Sequence, residues 1–119
     1  MNFKRADRVG ELILAEMSDI LLRSVKDPRL NAVTITAVKV TDDLRNAKIY
    51  FVEMGKDELN EEILAGLTRA RGFVRRELGH RLQLRFVPEI LFVHDKSFGY
   101  GNRIERLLDQ IARQEEKHD

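Results

Sequence analysis

Residues 33–54, VTITAVKVTDDLRNAKIYFVEM, carry the clearest structural signal in the chain. Residues 33–41 are dominated by β-branched side chains and are too short to be a helix of that composition, so they read as a strand. Asp42 to Asn46 lean polar and supply turn chemistry, because Asp and Asn side chains hydrogen-bond their own backbone. A second strand follows over residues 47–54, from Ala47 to Met54. Two strands joined by so short a loop form an antiparallel hairpin.

Working back from the hairpin, Val9, Leu12, Ile13, Met17, Ile20 and Leu21 recur at spacings of three and four. That period places them on one face of a helix over about residues 6–24. Asp27-Pro28 ends it, since proline drives the preceding residue out of helical geometry. Working forward, Gly55 closes the hairpin, and Asp57 or Asn60 can cap a helix whose apolar residues are Ile63, Leu67, Ala70 and Val74. Gly66 and Gly72 lie inside that helix, each costing about 1 kcal/mol against alanine. The expectation is a bend or short break at Ala70-Arg71-Gly72, with a second helix from Phe73 to about His80. A last strand is expected over residues 86–94, with Pro88 near its start, where a missing ladder donor is tolerated at an edge or a strand entry. Its apolar residues occupy both parities, so its inward face stays open. Ile104, Leu107, Leu108 and Ile111 predict a final short helix, and 114–119 a charged tail. The order α-β-β-α-α-β-α implies a two-layer α+β domain over residues 1–113, with a right-handed crossover carrying the helix pair.

A chain of 119 residues, 43% hydrophobic and 34% charged, is long enough for one core without staples. It has no cysteine, which excludes disulfides, thiolate metal sites and a cysteine nucleophile. No apolar run is long enough to span a membrane or to form a signal h-region, so a cytoplasmic domain is expected. One small domain without the signal of a large apolar patch is expected to be a monomer. With no Trp and 7% aromatics, a broad base-stacking platform is not expected.

Net charge is only +1, but it is unevenly placed. Residues 53–62 carry a net −4, whereas residues 69–85 carry six arginines against Glu77 alone, a net +5. Those six are Arg69, Arg71, Arg75, Arg76, Arg81 and Arg85, and the planar guanidinium fork matches phosphate geometry. Lys4, Arg5 and Arg8 add a second basic group, with Arg45 and Arg103 as further candidates. A polyanion-binding face is expected. At the predicted bend, a helix N-terminus flanked by Arg71, Arg75 and Arg76 would hold phosphate through both dipole and counter-charge. Gly72 would let a phosphodiester backbone approach closely or would serve helix–sheet packing.

Signs of catalysis are weak. His80, His94 and His118 lack metal-ligand spacing, and His94-Asp95 has no serine in a nucleophile-elbow context. Gly99-Tyr100-Gly101 lacks the third glycine and the strand–helix setting of a dinucleotide fingerprint. No enzyme, cofactor or metal is expected.

The chain resembles the bacterial ribosome-binding factor A family along nearly all its length. The resemblance is carried by Arg5-x-x-Arg8-Val9, Asp27-Pro28-Arg29, Val33-Thr34-Ile35-Thr36 and Val38-x-Val40-x-x-Asp43-Leu44-x-x-Ala47-x-Ile49-Tyr50. It continues through Ala70-x-Gly72-Phe73-x-Arg75, Leu84-Arg85-x-x-Pro88-x-Ile90-x-Phe92-x-x-Asp95-x-Ser97 and Gly101-x-Arg103-Ile104. It implies a type II KH-like domain, αββααβ, in which an interrupted helix at Ala-x-Gly replaces the Gly-x-x-Gly loop of ordinary KH domains. It further implies binding to the small ribosomal subunit and its rRNA in late assembly, help with rRNA maturation, especially in the cold, and contact with other assembly factors such as a GTPase. The terminal Glu115-Glu116-Lys117-His118-Asp119 does not match the longer basic extension of some members. Two other readings share the helix–strand order. One is a BolA-like partner of glutaredoxins, whose signature is absent apart from an echo at Gly79-His80-Arg81. The other is a generic KH protein binding single-stranded RNA.

Overall fold

The structure is a computed structural model that describes residues 4–97 together with Leu108, Ile111 and Ala112. Helix α1, Arg5–Asp19, continues through one widened turn, Ile20–Ser24, in which the Val25 N–H reaches back to the Ile20 carbonyl. A 3₁₀ turn, Pro28–Ala32, follows; the Asp27 carboxylate caps it by accepting from the Arg29 N–H. Strands β1, Val33–Val40, and β2, Asn46–Glu53, form the hairpin. Helix α2, Glu61–Leu82, begins where the Asn60 side chain accepts from the Glu62 N–H, and strand β3 is Glu89–His94. The sheet order is β1-β2-β3; β1 pairs antiparallel with β2, and β3 lies parallel to β2 after the crossover through α2.

Alternation along the strands sorts the two faces. Ile35, Ala47, Ile49, Phe51, Ile90 and Phe92 are buried in one cluster with Val9, Ile13, Met17, Ile20, Leu67, Val74 and Leu78 from the helices. Lys39 and Lys48 point away from it into solvent. Both helices therefore cover one side of the sheet, giving the expected two-layer α+β architecture. For β3 the structure settles the parity: Ile90 and Phe92 face the helices, whereas Leu91 is half exposed.

Three expectations need correction or fall outside the described residues. First, α2 is one continuous helix of 22 residues, with no interruption at Ala70-Arg71-Gly72. Its apolar stripe decides this. Ile63, Leu67, Val74 and Leu78 are all buried, each contributing about 1.5–3 kcal/mol, and a break would rotate the last two out of phase with the first two. Two glycines at about 1 kcal/mol each do not outweigh that. Second, β3 starts at Glu89 rather than residue 86. Pro88 has no N–H to offer, and the carbonyls of Val87 and Pro88 accept from the Arg75 side chain instead of a neighbouring strand. Third, the expected last helix and the tail at 114–119 lie outside the described residues, apart from Leu108, Ile111 and Ala112, which are helical.

Candidate nucleic-acid interface

The phase of α2 sorts its arginines. Position 81 lies seven residues after buried Val74 and three after buried Leu78, so it falls on the inward stripe at the level of α1. There the Arg81 guanidinium meets Glu16 at 3.0 Å, Asp19 at 2.6 Å and Glu77 at 3.4 Å, and donates to the Ser24 hydroxyl at 3.3 Å. Its hydrogen bond holds the Asp19 carboxyl below the ordinary carboxylate range, and the Asp19 and Glu16 bonds raise Arg81 itself. Arg81 therefore clamps α2 to the end of α1. Arg75, at the margin of the stripe, donates to the Pro88 and Val87 carbonyls at 3.1 and 3.0 Å and pairs with Glu89 at 3.4 Å. It fixes the segment between α2 and β3.

The opposite side of α2 is open. Arg69, Gly72, Arg76 and His80 follow one another at spacings of three and four and are all exposed. Arg69 also faces Asp27, whose carboxyl is held low chiefly by its hydrogen bond with Arg29. Arg71 is exposed as well, whereas Ala70 is half-buried against the core. Because the helix is unbroken there, no helix N-terminus exists at Gly72, and the expected dipole-assisted phosphate site at a second helix start is overturned.

A different arrangement takes its place. Arg5 from the first turn of α1, Arg45 from the hairpin loop and Arg85 from the segment before β3 line one groove of about 670 Å³. The loop is held by the Thr41 N–H donating to the Asn46 carbonyl and by Leu44 in the left-handed region at φ 63°. Two acids also line the groove, and both are engaged. Asp43 accepts from the Thr41 hydroxyl and the Arg45 N–H, which hold its carboxyl low, and Glu89 is paired with Arg75. The Arg5, Arg76 and Arg85 guanidinium groups make no hydrogen bond or salt bridge to another described residue; Arg45 makes none at contact distance either, though its charge helps to hold the Asp43 carboxyl low. Arg85 and Phe86 also line a second hollow of about 590 Å³, shared with Gly72, Arg75, Arg76 and His80. Arg8 stands on α1 one turn beyond Arg5, and Arg103 lies outside the described residues. Phe86 is the residue that sequence reading missed: assigned to a strand, it is in fact 78% exposed between the two hollows. The available signal was its place between Arg85 and Pro88, ahead of the first residue that can donate to the ladder.

Gly72 is in a regular helix with open space beside it; a Cβ there would meet only Arg76 Nη1, at 4.0 Å. Gly72→Ala is therefore expected to stabilise the domain by about 0.5–1 kcal/mol. Chemical denaturation checks this, and destabilisation by alanine would mean that the helix is interrupted after all.

Among the described residues no group of three or more His, Asp or Glu could hold a metal ion, and no helix is long and apolar enough to cross a membrane. Fold and site together define a small KH-like α+β domain with a cationic groove. The ribosome-binding factor A family profile matches residues 5–108. Ribosome-binding factor A of Syntrophus aciditrophicus is 56% identical over 114 residues, covering 96% of this chain and 93% of that one. The crystal structure of ribosome-binding factor A from Thermus thermophilus superposes with a TM-score of 0.65 at 21% identity, over 75% of this chain and 94% of that one. A homology model of Thermus thermophilus ribosome-binding factor A, fitted into the cryo-electron-microscopy map of a complex with the 30S subunit, superposes with a TM-score of 0.57 at 22% identity, over 77% of this chain and 92% of that one. This chain belongs to the ribosome-binding factor A family.

Proposed function

We propose that this protein is a non-catalytic, cytoplasmic assembly factor that binds the small ribosomal subunit late in its maturation and assists processing of its rRNA. The observation that carries the reading is the convergence of Arg5, Arg45 and Arg85 from three separate elements on one groove, without salt bridges to other described residues. Evenly solvated surface arginines have no reason to converge in this way, whereas phosphates of a folded RNA supply the missing counter-charge. Family membership and the relative fitted into a 30S complex support the choice of partner. Arg8, Arg69, Arg71 and Arg76 extend the contact surface, and Arg75 and Arg81 act by holding it in shape. Residues 1–113 act as one binding domain and as a monomer. Binding favours the immature RNA arrangement, and release follows when maturation, or another assembly factor such as a GTPase, removes that arrangement.

Cosedimentation with purified small subunits, mature and from a maturation-defective strain, tests the reading. Binding stronger to the immature form is expected, with affinity falling on added salt by about 0.7–0.9 in log–log slope for each phosphate contact. Absence of binding to both forms at low salt would sink it.

A further inference from the structure

We propose that Phe86 is a stacking platform for one unpaired base of the RNA held by the arginine groove. This deepens the reading above and rests on it.

Four observations carry the inference. Phe86 is 78% exposed, whereas of the other described phenylalanines Phe51 and Phe92 are 1% and 5% exposed and Phe73 is half-buried against the core. It is rigidly presented: Arg75 holds the carbonyls of the next two residues, and Val87 lies on Gly79, where a Cβ would come within 3.0 Å of its Cγ2. The ring has a cation in place, with the Arg85 guanidinium carbon 5.6 Å from its centroid. Finally, Phe86 borders both hollows, with Arg5 and Arg45 on one side and Arg76 and His80 on the other. Phe86 thus lies between the two groups of cations, on the direct path of a phosphodiester strand that spans them.

The chemistry selects the state of the RNA. In an A-form duplex the base faces are stacked inside the helix and beyond reach of a surface ring, whereas single strands, loops and bulges can splay a base onto an aromatic side chain. Aromatic stacking also tolerates any base, since each has a π-face. One ring flanked by arginines is thus a reader of an unpaired nucleotide rather than of a sequence. An extended aromatic platform is not needed for this.

The test uses the full chain and exploits its lack of tryptophan. Phe86→Trp introduces a single emitter, which a stacked base quenches. Quenching is expected on adding immature small subunits or a twelve-nucleotide single-stranded RNA of mixed sequence, and not with a duplex of the same length. Phe86→Leu, which keeps apolar surface but removes the ring, is expected to lose about 5- to 150-fold in subunit affinity, the range of one base stack. Its salt slope should stay unchanged, because no phosphate contact is removed. Wild-type affinity in Phe86→Leu, or binding of Phe86→Trp without quenching, would overturn stacking and point to an apolar contact with a ribosomal protein. In either case the binding function would stand, provided that arginine reversals still weaken binding. Failure of the parent chain itself to bind subunits would instead remove the reading beneath.

Discussion

Replacing Arg45, Arg76 and Arg85 together with glutamate is expected to weaken binding to immature small subunits by about two orders of magnitude at 0.1 M salt. The size follows from counterion release. A contact with a log–log slope of about 0.7–0.9 is worth roughly 5- to 8-fold at 0.1 M relative to 1 M, and three such contacts multiply. The salt dependence should fall in parallel, by about 2–3 in slope. Thermal stability should change little, because none of the three side chains hydrogen-bonds or forms a salt bridge with another described residue; the Arg85 guanidinium lies over the exposed Phe86 ring, and Arg45 acts on Asp43 through its charge alone. The contrast with Arg75 and Arg81 sharpens the test. Glutamate at position 75 gives up two bonds to the Val87 and Pro88 carbonyls, and glutamate at 81 places a fourth acid beside Glu16, Asp19 and Glu77. Those variants should melt earlier, so any loss of binding in them is mixed with loss of structure. A folded triple variant that cosediments like the parent would show that the groove is not the interface.

Phe51→Ala is expected to remove about 3–5 kcal/mol of folding stability. Phe51 lies in the central strand, 1% exposed, with its ring edge-on to Phe92 at 6.5 Å and to His94 at 5.9 Å. Truncation leaves a cavity where sheet and helices meet, and β2 cannot shift to close it because it is paired on both sides. A domain of 119 residues has about 6–18 kcal/mol in total, so the loss is a large fraction. At a urea slope of about 2 kcal/mol per molar, the midpoint should fall by about 2 M. Phe86→Ala serves as the matched control: the same truncation on an exposed ring should move stability by no more than about 0.5 kcal/mol. Equal midpoints for the two variants would contradict the assignment of core and surface.

Much of this was legible in the residues. The β-branched hairpin, the three-and-four spacing of Val9 to Leu21, the Asn60 cap and the Pro28 stop each depend on interactions a few residues long. They therefore set strands, helix and turn locally, to within a few positions. The clustering of arginine between 69 and 85 was equally plain, and with it the expectation of an anionic partner. What local rules could not resolve was competition with packing. Two glycines argued for a break in α2, but burial of Ile63, Leu67, Val74 and Leu78 on a common core keeps it whole, an energy that exists only once the sheet is in place. The role of each arginine was hidden for the same reason. Arg81 and Arg85 are alike in a charge count, yet one falls in phase with the buried stripe against α1 acids some 60 residues away, while the other follows the helix end and meets Arg5 and Arg45. Likewise Phe86 and Phe92 look equivalent along one apolar run, and the ladder, which starts only after Pro88, buries the second and leaves the first in solvent. The residues alone were enough to place the elements and to show the run of arginines. Which of those arginines are locked in salt bridges, and what lies between the others, followed from packing, because that depends on which distant side chains reach each guanidinium first.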